Sequence, residues 1–108
     1  MRALSIRQPY AELILRGIKR VEYRSRATKI IGERFYIYAA QTWAGMKGHD
    51  CDGIQPNDAP TGVIVGTATI SRCLKKDGYY EWHLADAKRI RHPRKPKGQP
   101  QPVWFQPF

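Results

Sequence analysis

Hydrophobic and polar positions alternate at the start of the chain. Leu4 and Ile6 point one way and Ala3, Ser5 and Arg7 the other, which predicts a half-buried strand over residues 2–7. The period then changes. Pro9 suits the first position of a helix, and Tyr10, Leu13, Ile14 and Gly17 follow the i, i+3, i+4, i+7 stripe, so a helix is predicted near residues 9–17, with Gly17 ending it. Alternation returns from Lys19 to Arg24: Val21 and Tyr23 share one face, Arg20, Glu22 and Arg24 the other. After a turn at Thr28–Gly32, the run from Arg34 to Ala40 is rich in aromatic and β-branched residues and reads as a strong strand.

Residues 41–61 carry Gly45, Gly48, Gly53, Pro56 and Pro60 and predict a long loop, of the kind that is usually functional in a compact domain. Gly62 to Cys73 is the longest strand candidate, apolar on both faces at Val63-Ile64-Val65 as a central strand should be. A turn follows at Lys75–Gly78. A short helical turn is predicted from Tyr80 to Asp86, then short strands at Lys88–Arg91 and Val103–Phe105. The Pro-rich segment between those two strands is read as an ordered crossing loop, because Val103, Trp104 and Phe105 beyond it need burial. The whole predicts a mostly β (α+β) fold: a small barrel of about six strands with one main helix.

The chain has 108 residues, which suits one domain over 1–108. No run of ~18 apolar residues is present, so no membrane span is expected. Arg2 and Arg7 place charge too early for a secretory signal, so the expected address is the cytoplasm. Cys51 and Cys73 match no paired motif and are expected as reduced thiols. His49-Asp50-Cys51-Asp52 holds metal-capable side chains, but adjacent loop residues cannot easily all face one ion; neither a metal site nor a cofactor is expected.

Charge changes the picture most. Lys and Arg number 19 against 9 acids, a net of +10. Residues 1–36 and 67–108 each carry nine basic and three acidic side chains, while residues 37–66 carry one and three. Two basic portions thus flank a slightly acidic middle, and folding could gather the positive charge at one cleft that attracts polyanions. The plainer alternative is a basic protein whose charge serves solubility.

Several side chains carry candidate chemistry. Lys19 and Glu22 fall at the helix-to-strand junction, where side chains project past the sheet edge. Arg20, Arg24 and Arg26 would favour a neutral amine at Lys19 by repulsion, Glu22 would oppose them, and a carboxylate beside such an amine can move its proton. The alternative is an ion-pair network of Lys19, Glu22 and Arg24 that holds strand register. Arg7 suits a phosphate, and Gln8 either a base edge or a helix-capping contact. Tyr10 belongs with them. Glu81, between Tyr80 and Trp82, could accept from a base stacked on an aromatic neighbour; the alternative buries Trp82 in the core and leaves Glu81 at the surface. Trp43 on the long loop would form a lid. Arg89, Arg91, Arg94, Lys95 and Lys97 make the densest basic stretch, suited to phosphate contact or simply solvated.

Gly17, Lys19, Glu22 and Arg24 together satisfy the pattern GxKxxExR, preceded by Leu4-Ser5-Ile6-Arg7-Gln8-Pro9. With Tyr38-Ala39-Ala40, Gly62–Gly66, Tyr80–Leu84 and Gln101–Phe105, this order of motifs resembles the ASCH family across nearly the whole chain. The resemblance implies a PUA-like β-barrel that binds RNA in a cleft beside the motif. Some bacterial members remove the acyl group from N4-acetylcytidine, and some relatives are ribonucleases. The amidohydrolase branch pairs the motif lysine with a threonine three residues later; here Glu22 occupies that position.

Three functions remain in play. One is an RNA- or nucleoside-binding module. Another is a small amidohydrolase on N4-acylated cytidine, or a ribonuclease, using Lys19, Glu22 and Glu81. The third is an interaction module in a transcription or translation assembly. RNA or a modified nucleoside is the expected partner, and the expected state is a monomer.

Overall fold

The structure is a computed structural model, and it describes residues 1–44 and 53–108. Six strands form one sheet: β1 (Ala3–Arg7), β2 (Val21–Arg24), β3 (Phe35–Ala40), β4 (Val63–Lys75), β5 (Tyr80–Arg94) and β6 (Trp104–Phe105). Their spatial order is β2-β5-β4-β3-β1-β6, with β1 parallel to β3 and every other pairing antiparallel. Among the described residues the sheet curls into a small mostly-β half-barrel of the PUA-like kind, with one short α-helix, α1 (Tyr10–Leu15), packed against it.

The helix is short because its stop is sharp. Gly17 adopts φ 77°, a left-handed conformation that costs a side-chain-bearing residue ~1–2 kcal/mol. The amides of Ile18 and Lys19 both turn back to the Leu13 carbonyl, at 3.0 and 3.2 Å. This reversal aims the next residues at the edge strand β2.

Beyond the hairpin at residues 76–79 the expectation from sequence fails. Residues 80–86 form no helical turn; Tyr80 to Arg94 is one strand of 15 residues. Its period of two was present in Tyr80, Trp82 and Leu84, all packed on or into the main core. The predicted break between residues 86 and 88 is a bend within that strand. Asp86 takes φ 56° and the β4–β5 register slips between Thr67 and Thr69, so the strand bends without ending.

The main core packs α1 against one face of the sheet. Leu4, Ile6, Phe35, Ile37, Ile70 and Trp82 are buried there with Ala11 and Ile14 of α1. Trp104 stacks on Trp82 at 5.9 Å between ring centroids, which gives the Pro-rich crossing segment its reason to return to the sheet. A second, smaller cluster joins Leu13 to Ile54 and Ala59, with Trp43 against it. Among the described residues, no helix is long and apolar enough to cross a membrane. His49, Asp50, Cys51 and Asp52 lie outside the described residues.

Candidate nucleic-acid interface

β2 and β1 stand near opposite ends of the sheet, separated by β5, β4 and β3. Curling brings them face to face across a cleft of about 850 Å³, a size that suits a small-molecule or single-nucleotide ligand. Ser5 and Arg7 of β1, Glu22, Tyr23 and Arg24 of β2, Tyr10 and Lys19 around the helix, and Pro100-Gln101-Pro102 of the crossing segment line it.

On β2 the usual burial is inverted. Glu22 is buried while Tyr23 is 58% exposed, so the polar face of the strand turns inward. Glu22 survives there because cations hold it. Arg24 donates to Glu22 Oε2 from Nε at 2.9 Å and from Nη2 at 2.6 Å, and the Lys19 ammonium lies 3.6 Å from Oε1. The side chains of Lys19, Glu22 and Arg24 are only 15%, 9% and 17% exposed, so these charges interact with little screening. Two cations against one carboxylate leave the cluster positive.

Lys19 is held from every side. Nζ donates to the Val21 carbonyl at 2.6 Å and sits 5.1 Å from the Tyr10 ring centroid and 5.0 Å from that of Tyr23. Two ring faces, a carbonyl and a carboxylate are the surroundings that stabilise an ammonium. Arg24 lies over Trp82 at 5.5 Å and also donates to the Ser5 carbonyl at 2.8 Å. Arg7 lines the cleft with its side chain exposed and, among the described residues, without an ion-pair partner. At the floor, burial pushes the Tyr38 phenol up, so it presents a neutral hydroxyl.

The remaining candidates lie elsewhere. Glu81 does not line the cleft. It opposes Tyr23 across the β2–β5 pair, and the alternation that turns Trp82 inward turns Glu81 outward, beside His83 at 3.1 Å and Lys76 at 3.9 Å. Trp82 is core, its Nε1 donating to the Arg26 carbonyl at 3.0 Å; Arg26 contributes its backbone there and its side chain is exposed. Tyr80 packs on the same core. Trp43 sits on the satellite cluster instead of over the cleft.

Gln8 has no exposure at all, which removes it from any base edge. Its side chain accepts from the Glu12 amide at 2.9 Å and donates to the Pro60 carbonyl at 2.9 Å, while its backbone carbonyl accepts from Ala44 at 2.7 Å. It caps α1 and ties down both ends of the long loop. Arg94 packs on the Phe108 ring at 4.1 Å, and neither it nor Lys95 nor Lys97 lines the cleft, although Lys97 lies three residues before the Pro100 wall. Among the described residues, the cleft therefore draws its positive charge from the first basic portion of the chain.

Tyr23 and Gln101 were not expected from sequence. Tyr23 stands between two motif residues, and a tyrosine alternating with charges on the strand after the helix was the available signal. Gln101 had none beyond its two flanking prolines. A second polar cluster was equally unforeseen. Burial would raise the Glu12 carboxyl, but hydrogen bonds from Arg89 (2.8 Å to each oxygen) and from Arg16 (2.7 Å) outweigh it and hold Glu12 below the usual carboxylate value. Arg89 is raised in turn, chiefly by its bond to Glu12.

The fold has a solved counterpart. A crystal structure of an ASCH protein from Zymomonas mobilis superposes with a TM-score of 0.69 over 97% of this chain and 85% of that one, at 16% identity. In sequence, the chain is 33% identical over 90 residues to human Activating signal cointegrator 1 and 35% identical over 91 residues to the mouse protein. Each match takes in 72% of this chain and 15% of the relative, so the chain spans about a seventh of those proteins. The ASCH domain model matches residues 4–98, from the first strand into the crossing segment, and the chain belongs to the ASCH domain family.

Proposed function

We propose that this domain binds RNA, or a nucleoside from it, in the cleft between β1 and β2. One observation carries the reading: a desolvated cluster of Lys19, Glu22 and Arg24 with excess positive charge, bordered by the partly exposed tyrosines Tyr10 and Tyr23. Cation and aromatic faces together match phosphate and base together. Arg7, exposed on the cleft lining, suits the phosphate. Arg94, Lys95 and Lys97, on the segment that leads to the Pro100 wall, suit the phosphates that flank it. The domain is taken to act as a monomer in this reading.

A hydrolytic reading has its own observation, the 3.6 Å approach of Lys19 Nζ to Glu22 Oε1 in a ligand-sized cleft. The surroundings of both groups favour binding over it. Lys19 is wrapped by two rings and a carbonyl, and Glu22 is clamped by Arg24, so both side chains are already engaged in contacts that a reaction would have to break.

The test is RNA affinity as a function of salt, for the wild type and for Arg7→Ala and Lys19→Ala, beside incubation with N4-acetylcytidine. Binding that falls steeply with salt and weakens in both variants, without turnover, supports the proposal. Conversion of N4-acetylcytidine to cytidine that vanishes in Lys19→Ala would replace it with the hydrolase.

A further inference from the structure

The crossing segment that forms the cleft wall is built as a rigid strap. Gln101 stands between Pro100 and Pro102, each with a fixed φ. The Ser5 hydroxyl donates to the Gln101 carbonyl, and the Ser5 amide donates to the Val103 carbonyl at 2.9 Å. Upstream, the amides of Lys97 and Gly98 both donate to the Pro107 carbonyl, at 2.6 and 2.7 Å. Gly98 lies so close to the C-terminal segment that a Cβ there would collide with the Gln106 carbonyl oxygen. The strap is thus pinned before, at and after Gln101, by backbone contacts and by Ser5.

That pinning engages the backbone of Gln101 only. Gln101 is part of the cleft lining, the residue is exposed, and among the described residues no hydrogen bond involves its side-chain amide. A primary amide offers an adjacent donor and acceptor, the complement of a base edge. Holding the backbone still lowers the ordering cost of using that amide for recognition. Of the other polar side chains around the cleft, Lys19, Glu22 and Arg24 satisfy one another, the Ser5 hydroxyl holds the strap, Arg7 carries donors alone and the rest are single hydroxyls; among the described lining residues Gln101 is the one primary amide.

We propose that Gln101 is the base-reading side chain of the cleft, and that the ligand is a nucleotide whose base is unpaired. The inference rests on the nucleic-acid reading of this cleft. Its edge-to-edge contact needs a Watson–Crick or Hoogsteen edge free of a partner strand, and a cleft of about 850 Å³ admits a splayed nucleotide but not a duplex. Affinity comes from the cations and tyrosines; preference among bases comes from Gln101.

The experiment uses short RNA probes with a single base flanked by abasic ribose-phosphate positions, one probe for each of the four bases. The wild type should bind the best and worst probes with Kd values about tenfold apart, the discrimination of one good bidentate contact. Gln101→Ala should bring the four values to within about twofold of one another while the salt dependence stays that of the wild type, and Gln101→Asn, one methylene shorter, should lose most of the preference. Because Gln101 is exposed, both variants should melt with the wild type; a preference that persists in folded Gln101→Ala would overturn the proposal, as would equal binding of all four probes by the wild type. Failure of the wild type to bind any probe, or heterogeneous RNA, would instead remove the nucleic-acid reading, and this inference with it.

Discussion

Arg24 donates to the Ser5 carbonyl at 2.8 Å across a gap that the sheet itself never bridges, since three strands separate β2 from β1. The bond closes the curl of the sheet at the cleft. The same guanidinium neutralises the buried Glu22 and stacks on Trp82, so one residue joins the core, the site and the closure.

Removing it should therefore cost more than an ordinary surface ion pair. Arg24→Ala is expected to destabilise the fold by ~3 kcal/mol, because Glu22 stays buried with only Lys19 nearby. Urea unfolding measures this directly, and a loss below ~1 kcal/mol would mean that the clasp contributes little.

Glu12 makes stability depend on acid. Its folded carboxyl is held below the ordinary value, so its contribution is complete above the usual carboxylate range and disappears as the pH falls through the lowered value. The stability gap between wild type and Glu12→Gln should be widest at neutral pH and should shrink on acidification to about pH 3. Denaturant midpoints at the two pH values test this; a gap that widened in acid would reverse the assigned sign.

Gln8 should behave as a structural hub. Gln8→Ala removes the partner of the Glu12 amide and of the Pro60 carbonyl, a loss of ~1–3 kcal/mol for buried polar groups left unpaired. A thermal melt shows it. If the variant instead kept full stability and lost only RNA affinity, Gln8 would be a ligand contact after all.

Neutralising Arg94, Lys95 and Lys97 to Gln should lower the melt only slightly, since all three are exposed and Arg94 gives up a contact with an exposed ring, Phe108. The slope of log affinity against log salt should become shallower by up to ~3, about one for each phosphate that no longer meets a cation. An unaltered slope would keep this segment off the RNA backbone.

The fold was legible wherever local period and tertiary role agreed. Leu4 and Ile6, the stripe through Ile14 and the stop at Gly17 each announced themselves, because the side chains that set the period also fill the core. Tyr80–Arg94 was misread because Asp86 and its neighbours look like a break, and only pairing with β4 shows that the strand bends and continues. In the cleft, the motif residues were legible as a group. Their orientation was not, since alternation alone cannot say which face of β2 is buried. Glu81 was lost to that same parity: two residues of one strand cannot both face inward when they are adjacent. Tyr23 and Gln101 join the cleft through curling and through the crossing strap, which bring together positions far apart in sequence.

The inverted face of β2 also guards the sheet. Among the described residues β2 pairs with β5 alone, so its other edge presents backbone groups on which a strand from another molecule could build, the Val21 carbonyl being already taken by Lys19. An incoming strand would have to lie across Lys19, Glu22 and Arg24 and strip their remaining water without replacing their mutual contacts. Charges pointed inward from an edge are a recognised defence against such growth. Resistance to aggregation and recognition of a ligand are thus written into the same three side chains, and a variant made apolar there to tighten the fold would be expected to self-associate through that edge.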